Sequence, residues 1–178
     1  LQALASAGAS VAHCPTSNLK LASGVARIAE MQAIGLNVSL GTDGAASNNR
    51  LDVFQEMRLA ALLAKVHGGT AESVPAHAAI RMATLNGAAA LGLEHKIGSL
   101  VPGKNADLCA VSLAGLEMAP CYDPASHVVY AAGREQVTHV WVDGMPVLAD
   151  RNPLRIDTVD LDNRIRLWHN KIGSETST

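Results

Sequence analysis

Apolar and polar positions alternate between two periods in the first half of the chain. Gln2 to Ala7 reads as the end of a helix with Gly8 as its C-cap, and Ala9 to His13 as a short buried strand. The following stretch, CPTSNLKLASG, is rich in turn residues and reads as a loop. Val25 to Ile34 carries a helical stripe (Val25, Ile28, Ala29, Ala33) that Gly35 stops. Asn37 to Leu40 reads as a second strand, and GTDGAASNNR as a second polar loop. Leu51 to Val66 is an amphipathic helix with Phe54, Met57, Ala61 and Ala64 on one face, ended by Gly68-Gly69. A further Ala-rich helix is expected from about Pro75 to Leu91. Strands joined by single crossover helices pair in parallel, and both polar loops then leave the carboxyl ends of strands, where α/β active sites are built.

The pattern changes near Gly92. Leu108 to Val111 and residues 128–132 read as strands, and VTHVWVDGMPVLADR as a hairpin turning at Asp143-Gly144, suited to a type I′ turn. His139 and Trp141 share one face of that hairpin, a candidate packing face. Residues 93–155 are thus expected to form a small β module. Val159 to Ile172 is expected to be an amphipathic helix aligning Leu161, Ile165, Trp168 and Ile172, with GSETST disordered after it.

Composition narrows the function classes. The 178 residues carry 14 Lys plus Arg against 16 Asp plus Glu, a net charge of −2 that argues against a polybasic nucleic-acid or membrane-surface binder. Aromatic residues make up 3%, too few for base-stacking platforms, whereas 48% hydrophobic residues can bury a core. No apolar stretch reaches the roughly 20 residues of a membrane span. Three cysteines (Cys14, Cys109, Cys121) without CxxC spacing fit a reducing compartment, and a cytoplasmic location is expected. The chain opens on Leu inside what reads as a helix, so it looks cut from something longer.

Asp43 is the sharpest chemical candidate. It follows the second strand between Gly41 and Gly44, where the backbone can turn tightly and aim a carboxylate at a pocket. Such a group suits a divalent metal and a proton from an activated water; the plainer alternative is a turn aspartate capping the next helix. His13, at the end of the first strand, is a candidate ligand, general acid or substrate contact, or else a half-buried histidine bonded to a carbonyl. Cys14 points to the opposite strand face and reads as structural. Ser17, Asn18, Ser47, Asn48 and Asn49 are loop polar residues whose default is local hydrogen bonding. His67 and His77 fall at helix ends, His95 in a loop, His127 before a strand and His139 in the hairpin, none at ligand spacing. There is no HxH or HExxH, and at most two plausible ligands where a catalytic zinc normally needs three.

The pieces HCPTSNLKL and GTDGAASNN, with IGSLVPGKNADLCAVSL and VTHVWVDGMPVL further on, resemble the amidohydrolase superfamily. The likeness is greatest to its deaminase and chlorohydrolase branch, the 5-methylthioadenosine/S-adenosylhomocysteine deaminases with their triazine-hydrolysing relatives, and covers about residues 1 to 170. The resemblance implies an α/β fold: the last two strands and helices of a (β/α)₈ barrel in residues 1–92, part of a small β-sandwich in 93–155, and a C-terminal helix and tail in 156–178. It makes Asp43 the metal-binding and proton-moving aspartate after the eighth strand, and His13, Ser17 and Asn18 substrate-side residues or supports of the site. It implies one divalent metal, Zn²⁺, and a small-molecule substrate for a hydrolase acting on carbon–nitrogen bonds. Neither nucleic acid nor membrane is expected as a partner, and the parent enzyme is expected to self-associate. The family's other metal ligands have no counterpart here, and a barrel alone needs about 250 residues. The expectation is therefore a piece of a longer enzyme, with two alternatives: a triazine-type chlorohydrolase, and a chain that is inert by itself. An ordinary open α/β domain with an appended β module, in which Asp43 binds nothing, also fits the strand pattern.

Overall fold

The computed structural model describes residues 1–175. Helix α1 (Gln2–Ser6) leads into strand β1 (Ser10–His13), helix α2 (Pro15–Lys20), helix α3 (Ile28–Ala33) and strand β2 (Asn37–Leu40). The strands pair in parallel, with Ser10 opposite Asn37 and His13 opposite Leu40. The expected loop after β1 is thus partly helical. Pro15 occupies the first helical position, where its fixed φ is pre-organised and its missing N–H costs nothing, and it starts α2 at once.

Helix α4 (Val53–Gly68) begins at Asp52, whose side chain accepts from the Phe54 amide, and ends where Gly69 adopts φ 67°. The single helix expected over 75–91 is two, α5 (Ala76–Ala83) and α6 (Leu85–Ala90), broken at Thr84 (φ −126°, ψ −95°). The Thr84 hydroxyl bonds back to the Ile80 carbonyl, and the break lets α6 lie on β2, where Asn86 Nδ2 reaches the Val38 carbonyl at 2.9 Å.

The core joins these layers. Ile28, Val38, Met57, Ala60, Ala61, Ala64, Val74, Ala79, Met82 and Val129 form one buried cluster. Its last member comes from helix α7 (Pro124–Tyr130), where sequence periodicity had pointed to a strand at 128–132. Asp123 accepts from the Ala125 amide and Pro124 takes the first helical position, a start signal that overrides the β-branched pair Val128-Val129. His127 accordingly sits on a helix and bonds its own turn.

The remaining strands form an antiparallel sheet in the order β3 (Leu108–Val111), β4 (Val137–Val142), β5 (Met145–Ala149), β6 (Asn152–Pro153). Asp143 and Gly144 both take positive φ (51° and 73°), as the expected type I′ turn requires. His139 and Trp141 stack with ring centroids 5.4 Å apart. Helix α8 (Thr158–Glu175) runs through the first three residues of the segment expected to be disordered; the rest of that segment lies outside the described residues. Its apolar line from Leu161 to Ile172 is exposed, and ion pairs such as Arg166–Asp162 at 2.8 Å brace it locally. No helix among the described residues is long and apolar enough to cross a membrane.

Candidate active site

Parallel pairing sends the loops after β1 and β2 out of the same sheet edge. The Gly41 amide donates to the His13 carbonyl at 2.9 Å, extending the ladder by one step. A Cβ on Gly41 would lie 3.0 Å from Cys14 Sγ, so any larger residue there must push the thiol aside. The tight turn beyond it is made by Asp43 itself, at φ 60°, rather than by Gly44. Asp is among the few non-glycine residues that enter this region readily.

The Asp43 side chain is exposed but not free. Ser17 Oγ, from the first turn of α2, and Ser47 Oγ, from the loop after β2, each donate to Asp43 Oδ2 at 2.7 Å. Both hydroxyls fall on one oxygen, and no side-chain donor among the described residues reaches Oδ1. The Ser17 bond, then the Ser47 bond and the Gly44 amide, hold the carboxyl below the usual carboxylate range, so it stays an anion. Asp43 does not cap the next helix; Asp52 does.

Behind the two serines lies a buried polar group. Glu56 on α4 and Asn48 are both fully buried. Glu56 Oε2 accepts from the Thr16 amide at 3.0 Å, one of the first-turn N–H groups of α2 that has no partner within the helix. Glu56 Oε1 accepts from Asn48 Nδ2 at 2.8 Å, and the same amide group donates to the Thr42 carbonyl at 2.9 Å. Asn48 Oδ1 accepts from the Arg50 and Leu51 amides. Asn48 thus makes the loop hydrogen bonds expected of it, to Thr42, Arg50 and Leu51, and adds a bridge to Glu56 on α4. Glu56 escaped the sequence reading, although its position four residues before Ala60 on the buried stripe of α4 marks it as a carboxyl facing inward.

The other sequence candidates take different places. His13 is buried, and burial pushes its imidazole down to about 4, so it is neutral near pH 7. Asn18 is half-buried and its side chain makes no hydrogen bond to Asp43. Asn49 Oδ1 accepts from Lys20 Nζ at 2.7 Å, which ties the end of α2 to the second loop. Burial, reinforced by the nearby Asp43 and Glu56 carboxyl groups, raises the Cys14 thiol, which disfavours a thiolate nucleophile. Among the described residues no three His, Cys, Asp or Glu side chains gather as a metal site. Asp43, with one oxygen tethered and the other clear of side-chain donors, fits a single metal-ligand position; the chain's described residues do not complete a set. A cavity of about 500 Å³ lies between α5, α6 and β3, lined by Ala83, Ile97, Leu108 and Cys109, and none of its lining residues belongs to either loop.

Comparison with known proteins gives this geometry a context. The 5-methylthioadenosine/S-adenosylhomocysteine deaminase of Teredinibacter turnerae is 45% identical over 172 residues, which are 97% of this chain and 39% of that protein. A zinc-bound adenosine deaminase from Xanthomonas campestris superposes with a TM-score of 0.93 at 46% identity, over 97% of this chain and 40% of its own. A zinc-complexed atrazine chlorohydrolase from Arthrobacter aurescens gives 0.84 at 28% identity, over 92% and 36%. The chain therefore spans about two fifths of the length of the curated relatives it matches. The model of the amidohydrolase family matches residues 1–147, a span that holds both loops, the parallel strand pair and the hairpin turn, and the chain belongs to that family.

Proposed function

We propose that residues 1–92 supply the last two strands and helices of a metal-dependent hydrolase barrel, residues 93–155 part of its β-sandwich, and residues 156–178 a C-terminal helix and tail. The enzyme so formed deaminates an adenosine-type nucleoside of the 5-methylthioadenosine/S-adenosylhomocysteine class. One observation carries the reading: Asp43, at the carboxyl end of β2, keeps one carboxylate oxygen tied to Ser17 and Ser47 and leaves the other clear of side-chain donors.

Asp43 is one ligand of a divalent metal, Zn²⁺ in this reading, with the remaining ligands supplied from outside this chain. When bound, the metal supplies Lewis acidity that makes water a nucleophile near neutral pH. Asp43 accepts the proton of the attacking water and passes it towards the departing ammonia. Its lowered pKa keeps it ionised, and the two serines fix the orientation of the carboxylate. His13 is a substrate-side or supporting candidate, and as a neutral imidazole it can act by hydrogen bonding rather than by charge. Ser17 and Ser47 act through Asp43, and Asn18 is kept as a weaker substrate-side candidate. The three free cysteines fit a reducing cytoplasm, and the complete enzyme self-associates in this reading.

The test joins this chain to the preceding segment of the Teredinibacter turnerae deaminase, in place of the 172 residues it matches. Ammonia release from S-adenosylhomocysteine and 5-methylthioadenosine, and chloride release from atrazine, are measured with zinc present. Ammonia release that Asp43→Asn lowers by about 10²- to 10⁴-fold supports the reading. Chloride release alone favours the chlorohydrolase. A folded, zinc-loaded joined protein indifferent to Asp43→Asn overturns the role given to Asp43. The 178-residue chain alone is expected to be inactive.

A further inference from the structure

We infer that Glu56 and Asn48 form a buried clamp that positions Asp43 and thereby sets turnover rather than substrate affinity; the inference rests on the proton-accepting role proposed for Asp43. Three residues meet at the Asp43 carboxylate: Asp43 itself, Ser17 and Ser47. Each has a sequence neighbour held by the clamp. Thr16, next to Ser17, donates its amide to Glu56. Asn48, next to Ser47, donates to Glu56. Thr42, next to Asp43, accepts from Asn48 through its carbonyl. Two fully buried side chains on one side of the loops thus fix both donors and the acceptor on the other.

The clamp has a reason to be rigid. Buried polar groups cost most when left unpaired, so the bonds of Glu56 and Asn48 hold or fail together. Asp43 sits at φ 60°, a sparsely populated state open to Asp, and the bond from Asn48 to the Thr42 carbonyl holds the chain just before it. Glu56 also faces two donors, Thr16 N–H and Asn48 NH₂, and therefore needs two acceptor oxygens. A glutamine at this position offers one acceptor and one donor group, so one of the two bonds becomes a donor–donor contact. The shape is conserved and the clamp is broken. Asp43 keeps both its hydroxyl partners' chemistry, but their placement is released. A misplacement on the order of 1 Å at a reacting group lowers rate about 10²-fold while ground-state contacts to substrate survive.

The experiment uses the joined, zinc-loaded enzyme with Glu56→Gln, Asn48→Ser, Asp43→Asn and, as a packing control, Val129→Ala in the core on α7. Rates are taken at a temperature where circular dichroism shows every variant fully folded. The clamp predicts kcat lowered about 10- to 100-fold in Glu56→Gln and Asn48→Ser, KM within about 3-fold, and zinc held about 10-fold more weakly against a competing chelator. In the 178-residue chain, hydrogen exchange at the Thr16 amide should accelerate in Glu56→Gln and stay unchanged in Val129→Ala. If both clamp variants track Val129→Ala, with turnover per folded molecule intact, Glu56 and Asn48 are structural only and the inference fails. Loss of turnover in Asp43→Asn alongside wild-type kcat in Glu56→Gln sinks the clamp alone. Unchanged turnover in Asp43→Asn sinks the role of Asp43 and the clamp with it.

Discussion

Lowering the pH should loosen this chain through His13. The imidazole is 4% exposed at the end of β1, and desolvation holds its folded-state value at about 4, against 6.5 for the unfolded chain. Between those values the unfolded state binds a proton that the folded state refuses, so stability is full above about pH 7 and falls as pH drops. Two-state linkage gives a loss on the order of 1 kcal/mol between pH 7 and 5.5 from this one group. By pH 4.5 the loss is on the order of 2 kcal/mol, a large share of a typical domain's stability. Carboxyl groups also titrate towards the acid end, so the measurement is a difference: urea unfolding of the wild-type chain and His13→Gln at pH 7, 5.5 and 4.5. The variant has no imidazole to protonate, and its stability should fall less by about the amounts above. Identical pH slopes in the two proteins would refute the reasoning, as would an NMR titration placing the His13 imidazole near 6.5.

Other expectations follow from single contacts. Ser17→Ala combined with Ser47→Ala removes both hydroxyls from Asp43 Oδ2 and should raise the carboxyl pKa towards its ordinary value, read by carbon-13 NMR of the side-chain carboxyl. Asp52→Ala removes the cap of α4 and should cost about 1 kcal/mol in chemical denaturation, with Asp123→Ala costing a similar amount at α7. Met82→Ala, at a fully buried core position, should cost about 2–5 kcal/mol in the same assay without altering the Asp43 pKa.

Local patterns were enough for part of the molecule. The strands at Ala9–His13 and Asn37–Leu40, the stripe of α4 and the Asp143-Gly144 hairpin are set by side-chain pattern and turn chemistry within a few residues, and each formed where the pattern pointed, although of the first strand only His13 is buried. Errors fell where two local signals competed. Val128-Val129 carry strand propensity, but Asp123-Pro124 starts a helix and the core buries Val129 against α4 and α5. Pro15 started a helix inside a segment whose composition reads as a loop. At the site, the sequence could single out Asp43, because glycines and a strand end surround it. It carried only a positional hint of Glu56, its place on the buried stripe of α4, and said nothing of its partners. What decided its role was the parallel pairing of β1 and β2, which brings residues 26 and 40 positions apart onto one carboxylate and one carboxyl. Hydrogen bonds act over about 3 Å of space regardless of separation along the chain. Which side chains meet at that range is a property of strand pairing and helix packing, and no window of sequence contains it.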